Sequence, residues 1–329
     1  MNAPKRTAAR PVVRVTRRLP EAVEQALAER FDARFNTDDA PFTPEQLSAA
    51  LRDSDAVLCT VTDRITTQVI AAGAPVRARI LANFGVGTNH IAIGAAHDAG
   101  IAVTNTPGVL TDDTADLAIL LMLAVMRRAG EGERELRAGR WSGWRPTHLM
   151  GARLTGKTLG IVGPGRIGSA VAKRAHGGFG MRVLAWSRSA RALDPSTGIE
   201  RVPTLEALLA ASDVVSLHCP ATPETRHLID AAALSVMRPH AVLINTARGD
   251  VVDEAALVEA LRARRIAGAG LDVYEAEPLV HPGLVDRDDV VLLPHLGSAT
   301  RESRAAMGMR ALANLTEFFD GRDPPDVVS

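Results

Sequence analysis

Apolar residues occur in short dense runs along this chain, and between the runs they recur every three or four positions. Val12, Val13 and Val15 predict a strand, and Ala22, Val23, Ala26 and Leu27 predict a helix over 20–30. A second strand is expected at 33–36. Thr43-Pro44-Glu45-Gln46 reads as a helix start, with an N-cap and a proline at the first helical position. Strands at 56–60, 79–82 and 102–104 flank a helix at 66–72. Such alternation implies a parallel sheet covered on both faces. Asn105-Thr106-Pro107-Gly108 breaks the pattern as a hinge. The helix expected at 112–128 has an almost wholly apolar middle, which assigns Met122 and Met126 to a core. From Thr158 the alternation restarts, with strands near 158–162, 182–186, 214–217, 241–245, 268–272 and 290–293. These six strands match a dinucleotide-binding sheet, and a last helix is expected at 301–319.

Composition narrows the class. A chain of 329 residues, 46% of them hydrophobic, suggests about two domains with substantial cores. The formal net charge is zero, so neither nucleic acid nor an anionic membrane is favoured as a partner. Cys59 and Cys219 lie far apart without metal-type spacing, so no metal is expected and a reducing cytoplasm is the simple reading. The longest apolar run, 117–126, is too short to cross a bilayer. Residues 1–10 are basic but lack an apolar core segment; they read as a disordered tail, with a transit peptide as the alternative.

The chemistry begins at Gly163-Pro164-Gly165-Arg166-Ile167-Gly168, between an expected strand and an expected helix. Gly163 allows the tight turn, Gly165 lets a pyrophosphate approach the backbone, and Gly168 lets helix and strand pack closely. The helix start points unpaired N–H groups and a positive dipole end at the phosphates. An NAD site usually carries an acidic residue at the end of the next strand, about 20 residues on. Here the residues are Trp186-Ser187-Arg188-Ser189, with Arg191 behind. A guanidinium can bind a 2′-phosphate bidentately, so NADP(H) is favoured and NAD(H) is the alternative; a solvated loop arginine is the plainer reading.

Other candidates also follow strands. The amides of Val86 and Gly87, in Asn83-Phe84-Gly85-Val86-Gly87-Thr88-Asn89-His90, could grip a small carboxylate or form a plain turn. Arg248 in Asn245-Thr246-Ala247-Arg248-Gly249-Asp250 could meet a carboxylate with a fixed fork of donors. Glu277 and His295 follow the next two strands. Each alone is unremarkable, but together they occupy the sheet edge where ligands bind in such folds. Trp141-Ser142-Gly143-Trp144 is an interface, a pocket wall or a packed aromatic loop.

The glycine turn, the Asn-Thr-Ala-Arg-Gly-Asp run, the segment 270–278 and Pro294-His295-Leu296-Gly297-Ser298-Ala299-Thr300 resemble the D-isomer-specific 2-hydroxyacid dehydrogenase family. The similarity runs in order from about Val12 to the end. Asn83–Gly87 as a run, the segment 106–116 and the Ser187-Arg188 pair are most similar to its glyoxylate/hydroxypyruvate reductase branch. Pro164 departs from the aliphatic residue of many relatives and removes one N–H from the phosphate cradle. The chain ends at Ser329, soon after the last helix, which argues against the phosphoglycerate-acting subgroup with its regulatory extension.

The resemblance implies two Rossmann-like or flavodoxin-like α/β domains with parallel sheets. One is a discontinuous substrate-binding domain, 1–107 with 299–329; the other is an inserted dinucleotide-binding domain, 108–298. It implies a homodimer built through the cofactor domain and its long helix. His295 would give a proton to the substrate oxygen, Glu277 would favour the charged imidazole, and Arg248 would anchor the carboxylate of a 2-oxo acid. Val86, Gly87, Arg248 and His295 would bind substrate, with Trp144 and Leu149 reaching in from the partner subunit. Gly163, Gly165, Arg166, Ile167, Gly168, Ser187, Arg188, Ser189, Cys219, Pro220, Thr225, Thr246, Ala247, Asp272, His295 and Gly297 would bind cofactor; of these, Asp272 would orient the nicotinamide amide. The expected activity is NADPH-preferring reduction of glyoxylate or hydroxypyruvate. Alternatives are a dehydrogenase of another 2-oxo acid and a nucleotide-sensing corepressor-like protein.

Overall fold

A computed structural model describes residues 9–188 and 197–328. The chain forms two compact units, Met1–Leu110 with Thr300–Ser329, and Thr111–Ala299. The basic tail falls largely, and Ser189 and Arg191 fall wholly, outside the described residues.

The first unit holds five parallel strands, β1 (Val12–Val15), β2 (Asp32–Arg34), β3 (Ala56–Thr60), β4 (Ile80–Phe84) and β5 (Ala102–Thr104), in the order β2-β1-β3-β4-β5. This is the flavodoxin-like order. Helix α2 (Pro44–Asp53) starts as its sequence specifies: the Thr43 side chain accepts from the Gln46 amide, and Gln46 returns the bond to the Thr43 amide at 2.8 Å. Leu47, Leu51, Val57, Leu81 and Val103 bury one face of the sheet. The last helix, α12 (Arg301–Phe319), packs on β4 and α1 (Glu21–Arg30), so the end of the chain completes the first unit.

The second unit has seven parallel strands: β6 (Thr158–Val162), β7 (Arg182–Trp186), β8 (Ile199–Arg201), β9 (Val214–Leu217), β10 (Val242–Asn245), β11 (Gly268–Leu271) and β12 (Val290–Leu292). Their order is β12-β11-β10-β9-β6-β7-β8. Counted within the unit, the sheet runs 3-2-1-4-5-6-7, the Rossmann order with an added edge strand. The expected count of six missed β8. That strand has three residues, Ile-Glu-Arg, with its two polar ones exposed at the sheet edge, so no apolar run marks it.

Helix α5 (Thr111–Met126) covers one face beside α7 (Arg166–Phe179); Leu121, Met122 and Met126 pack with Leu159, Ile161 and Val171. On the other face Leu208, Leu243, Leu257 and Leu271 share a second core. Both faces are therefore buried, as near-continuous apolar strands require. Among the described residues, no helix is long and apolar enough to cross a membrane.

Candidate active site

The turn after β6 folds as its glycines dictate. Gly163 has φ +90°, a left-handed conformation that disfavours side chains, and a Cβ there would lie 2.8 Å from the Cys219 amide nitrogen. At Gly168 a Cβ would lie 2.6 Å from the Gly163 carbonyl oxygen, so α7 closes onto the turn only with glycine there. Gly165 caps α7 with nothing within 4 Å of a Cβ position. Its missing side chain therefore serves open space, the room a pyrophosphate needs beside the amides of Arg166 and Ile167. Pro164 leaves this turn intact.

The neighbouring strands β7 and β9 end beside this turn, where the Gly163 amide donates to the Trp186 carbonyl at 2.9 Å. Arg188, just past β7, pairs with Glu224 at 3.3 Å. Cys219 follows β9; burial pushes its thiol up to about 11, and the Arg188 charge opposes that shift. Arg188 thus sits among Cys219, Glu224 and the Pro220–Thr225 turn, where the Thr225 hydroxyl donates to the Pro220 carbonyl at 2.7 Å. Arg201 on β8 donates to the Ser187 hydroxyl at 3.3 Å, a second guanidinium beside the loop that the sequence reading missed along with its strand. Past β10, the Thr246 hydroxyl is buried without a hydrogen-bond partner among the described residues. An orphaned hydroxyl, an open glycine cradle and guanidinia at the second strand's end fit a dinucleotide.

The ends of β10, β11 and β12 carry the acid–base groups. At β10, the Asn245 side chain donates to the Arg248 carbonyl at 2.9 Å and accepts from the Ala247 amide at 3.0 Å, fixing the turn that presents Arg248. Burial lowers the Arg248 pKa, with the Glu277 charge opposing. Past β11, one Glu277 oxygen accepts from the Tyr274 amide at 3.0 Å, and the other accepts from His295 Nδ1 at 2.9 Å. Burial pushes the Glu277 carboxyl up, but the hydrogen bond and charge of His295, the Tyr274 amide and the Arg248 charge hold it below the usual glutamate range. With Nδ1 engaged by Glu277, Nε2 is the other ring nitrogen through which His295 can exchange a proton.

Asp272 holds the histidine loop. One of its oxygens accepts from the Leu296 amide at 2.6 Å and the other from the Gly297 amide at 2.8 Å, while its carbonyl accepts from the His295 amide at 2.9 Å. The Thr114 hydroxyl donates to the Gly297 carbonyl at 2.9 Å. These bonds retain His295 at φ +56°, a left-handed conformation costing a side-chain-bearing residue roughly 1–3 kcal/mol. Burial raises the Asp272 pKa against the two amides and the His295 charge. This grip was not read from the sequence. Its only trace there is an acidic residue placed immediately after a strand.

The structure thus brings Arg248, Glu277, His295 and Asp272 to one edge of one sheet. Val86 and Gly87 belong to the first unit, past β4, where Asn105 donates to the Val86 carbonyl at 2.8 Å and Asn83 to the Gly87 carbonyl at 3.0 Å. Trp144 is 83% exposed and Trp141 53%, so neither is packed in a loop. With Leu136, His148 and Leu149 they line a groove that includes none of the acid–base residues.

The chain is similar to known proteins over nearly all of its length. Residues 119–297 match the family described as D-isomer specific 2-hydroxyacid dehydrogenase, NAD binding domain. The chain is 44% identical to a glyoxylate reductase of Thermococcus litoralis over 325 residues, covering 97% of each chain. It is 45% identical to a glyoxylate reductase of Aeropyrum pernix, covering 97% of this chain and 96% of that one. Among solved structures, it is similar to an NADPH-dependent glyoxylate/hydroxypyruvate reductase of Sinorhizobium meliloti in complex with NADP and malonate. That match has a TM-score of 0.87 and 36% identity, over 98% of this chain and 97% of that one.

Proposed function

We propose, because this chain belongs to the D-isomer specific 2-hydroxyacid dehydrogenase family, that it reduces glyoxylate or hydroxypyruvate to glycolate or D-glycerate, with NADPH preferred over NADH. The observation that carries this reading is the 2.9 Å bond from His295 Nδ1 to Glu277, on the sheet edge that also presents Arg248. A bound dihydronicotinamide supplies the hydride. The residues supply the rest. As the carbonyl oxygen gains negative charge, the His295 imidazolium gives it the Nε2 proton, and the Glu277 carboxylate stabilises the charged ring before transfer. Arg248 holds the substrate carboxylate with its planar fork and polarises the carbonyl. In the first unit, the amides of Val86 and Gly87 are candidates for binding a small carboxylate.

For the cofactor, the amides of Arg166 and Ile167 at the glycine turn would hold the pyrophosphate, and Ser187 and Arg188 the ribose phosphate. Cys219, Pro220 and Thr225 would line the adenine side. Thr246, Ala247, Asp272 and Gly297 would surround the nicotinamide. Preference for NADPH is supported by Ser187-Arg188, rather than an acidic residue, standing immediately after β7, and by the two guanidinia there. Arg188 must leave Glu224 to meet a 2′-phosphate, so Glu224 moderates that preference. Arg188→Ala should weaken NADPH much more than NADH; equal losses would count against phosphate recognition. We further propose a cytoplasmic homodimer in which Trp144 serves the partner's site.

The deciding assay follows oxidation of NADPH and NADH by the loss of dihydronicotinamide absorbance, against glyoxylate, hydroxypyruvate, pyruvate, phenylpyruvate and phosphohydroxypyruvate. Fastest turnover with glyoxylate or hydroxypyruvate is expected. Faster turnover of an aromatic or phosphorylated acid would move the substrate assignment, and turnover of none would favour a nucleotide sensor.

A further inference from the structure

Three loops beside the acid–base groups are stitched together by side chains that none of the roles above employs. Immediately after Arg248, Gly249 comes so close to the Tyr274–Glu275 peptide that a Cβ on it would lie 1.9 Å from the Tyr274 carbonyl carbon. Five residues on, Glu254 begins α10 (Glu254–Arg262) and is 6% exposed. Its carboxylate accepts from the Glu275 amide at 2.8 Å, and the Glu275 carboxylate accepts from the Glu254 amide at 3.1 Å. Two acidic residues thus cap each other's backbone reciprocally. The Glu275 carboxylate also lies at the positive end of α10, where a negative charge is stabilised.

The other Glu275 oxygen meets His227 Nε2 at 2.5 Å, and the His227 amide donates to the Asp250 carbonyl at 2.8 Å. Two residues upstream of His227 stands Thr225, and two residues downstream Ile229 bridges to Val252. Glu275 is therefore the point where the loop after β9, the Arg248 loop and the Glu277 loop meet.

We propose that Glu254 and Glu275 are positioning residues that lock the Arg248 turn to the Glu277 loop and so fix the spacing between carboxylate anchor and proton donor. The catalytic part of this assignment rests on the reductase reading. Gly249 permits the close approach, the reciprocal bonds hold it, and His227 extends the lock to the cofactor side. A 2-oxo acid is small: its carboxylate and its carbonyl oxygen lie on adjacent carbons. The guanidinium and the imidazole must then be right with respect to each other, and a misplacement of about 1 Å can cost on the order of 100-fold in rate.

The test uses the full-length protein with Glu254→Ala, Glu275→Ala, the double variant, and the milder Glu254→Gln and Glu275→Gln, which keep an acceptor for the partner amide. With glyoxylate and NADPH, each alanine variant should lose about 10- to 100-fold in kcat. NADPH affinity, measured by fluorescence titration, should not fall comparably. The double variant should lose no more than the worse single one, because the pair acts as one device, and the glutamine variants should recover part of the loss. Wild-type kcat in the alanine variants would overturn the proposal, as would additive losses matched by falls in NADPH affinity and Tm. Amide hydrogen exchange reads the lock without turnover: residues 248–254 and 274–277 should lose protection together in either alanine variant. Independent changes would overturn the lock even if the wild type reduced no acid offered, a result that by itself would reject only the reductase reading.

Discussion

At the scale of single residues, the proposed chemistry turns on the contact between Glu277 and His295. That chemistry calls for an ionised Glu277, and its surroundings hold its carboxyl below the usual glutamate range. A carboxyl depressed in the folded state stabilises the fold fully above its unfolded pKa, near 4.5, and loses that contribution as pH falls through the depressed folded value. Glu277→Gln should therefore lower Tm near neutral pH, and the deficit should shrink as the solution is acidified below that range. A Tm–pH series of both proteins checks this; a deficit constant with pH would show that the charge contributes nothing. For catalysis, His295→Ala should cut kcat about 10²- to 10⁴-fold while fluorescence titration still shows NADPH binding. Arg248→Lys should chiefly raise the KM for the 2-oxo acid, because a point charge cannot reproduce a planar fork. Near-normal kinetics would remove either residue from its assigned role. These three residues were legible in the sequence because each follows an apolar run that had to be a strand. Asp272 was expected as a cofactor contact but not as the brace of the histidine loop, and Glu254 and Glu275 were legible only as acidic residues. Their work is done by side-chain bonds to distant backbone amides, and such pairings leave no spacing rule behind.

At the scale of elements, what was legible followed burial. Strands buried on both faces, such as β6, β9 and β10, announce themselves as apolar runs, and α2 declares its start through its capping box. Strand β8 does not, because an edge strand of three residues needs neither apolar face. Missing it also hid Arg201 beside the Ser187 loop. The glycine turn offers a sharper test, since its three glycines are required for different reasons. Gly163→Ala and Gly168→Ala meet backbone atoms at 2.8 Å and 2.6 Å, so both should lower Tm and weaken NADPH. For Gly163 the positive φ adds strain, and such a conformation costs of order 1–3 kcal/mol. Gly165 has an ordinary φ of −78° and open space around it. Gly165→Ala should leave Tm unchanged and still weaken NADPH, because the methyl group enters only the space a pyrophosphate would occupy. Thermal melts paired with fluorescence titrations separate the cases, and a Gly165→Ala protein that binds NADPH normally would place the phosphates elsewhere.

At the scale of the whole molecule, the second unit leaves large apolar side chains in water. Leu120, Leu136, Trp141, Trp144 and Met150 are each more than half exposed. Scattered single residues of this kind are ordinary, but Leu136, Trp141 and Trp144 share one groove. An association through this unit would bury them, and sedimentation should then report two copies of the 34.9 kDa chain, with Leu136→Glu shifting the balance toward one. Dimerisation alone does not say whether Trp144 serves its own chain's substrate or its partner's. Mixing two defective proteins does. A heterodimer of a Trp144→Ala subunit with a His295→Ala subunit has, if Trp144 acts across the interface, one site with both residues intact and one with neither. Subunits exchanged by mild dilution and reconcentration should then regain turnover at the wild-type KM for glyoxylate, although neither parent shows it. If Trp144 acts within its own chain, each heterodimer site carries one defect and mixing restores nothing. The outcome depends only on which chain supplies the indole.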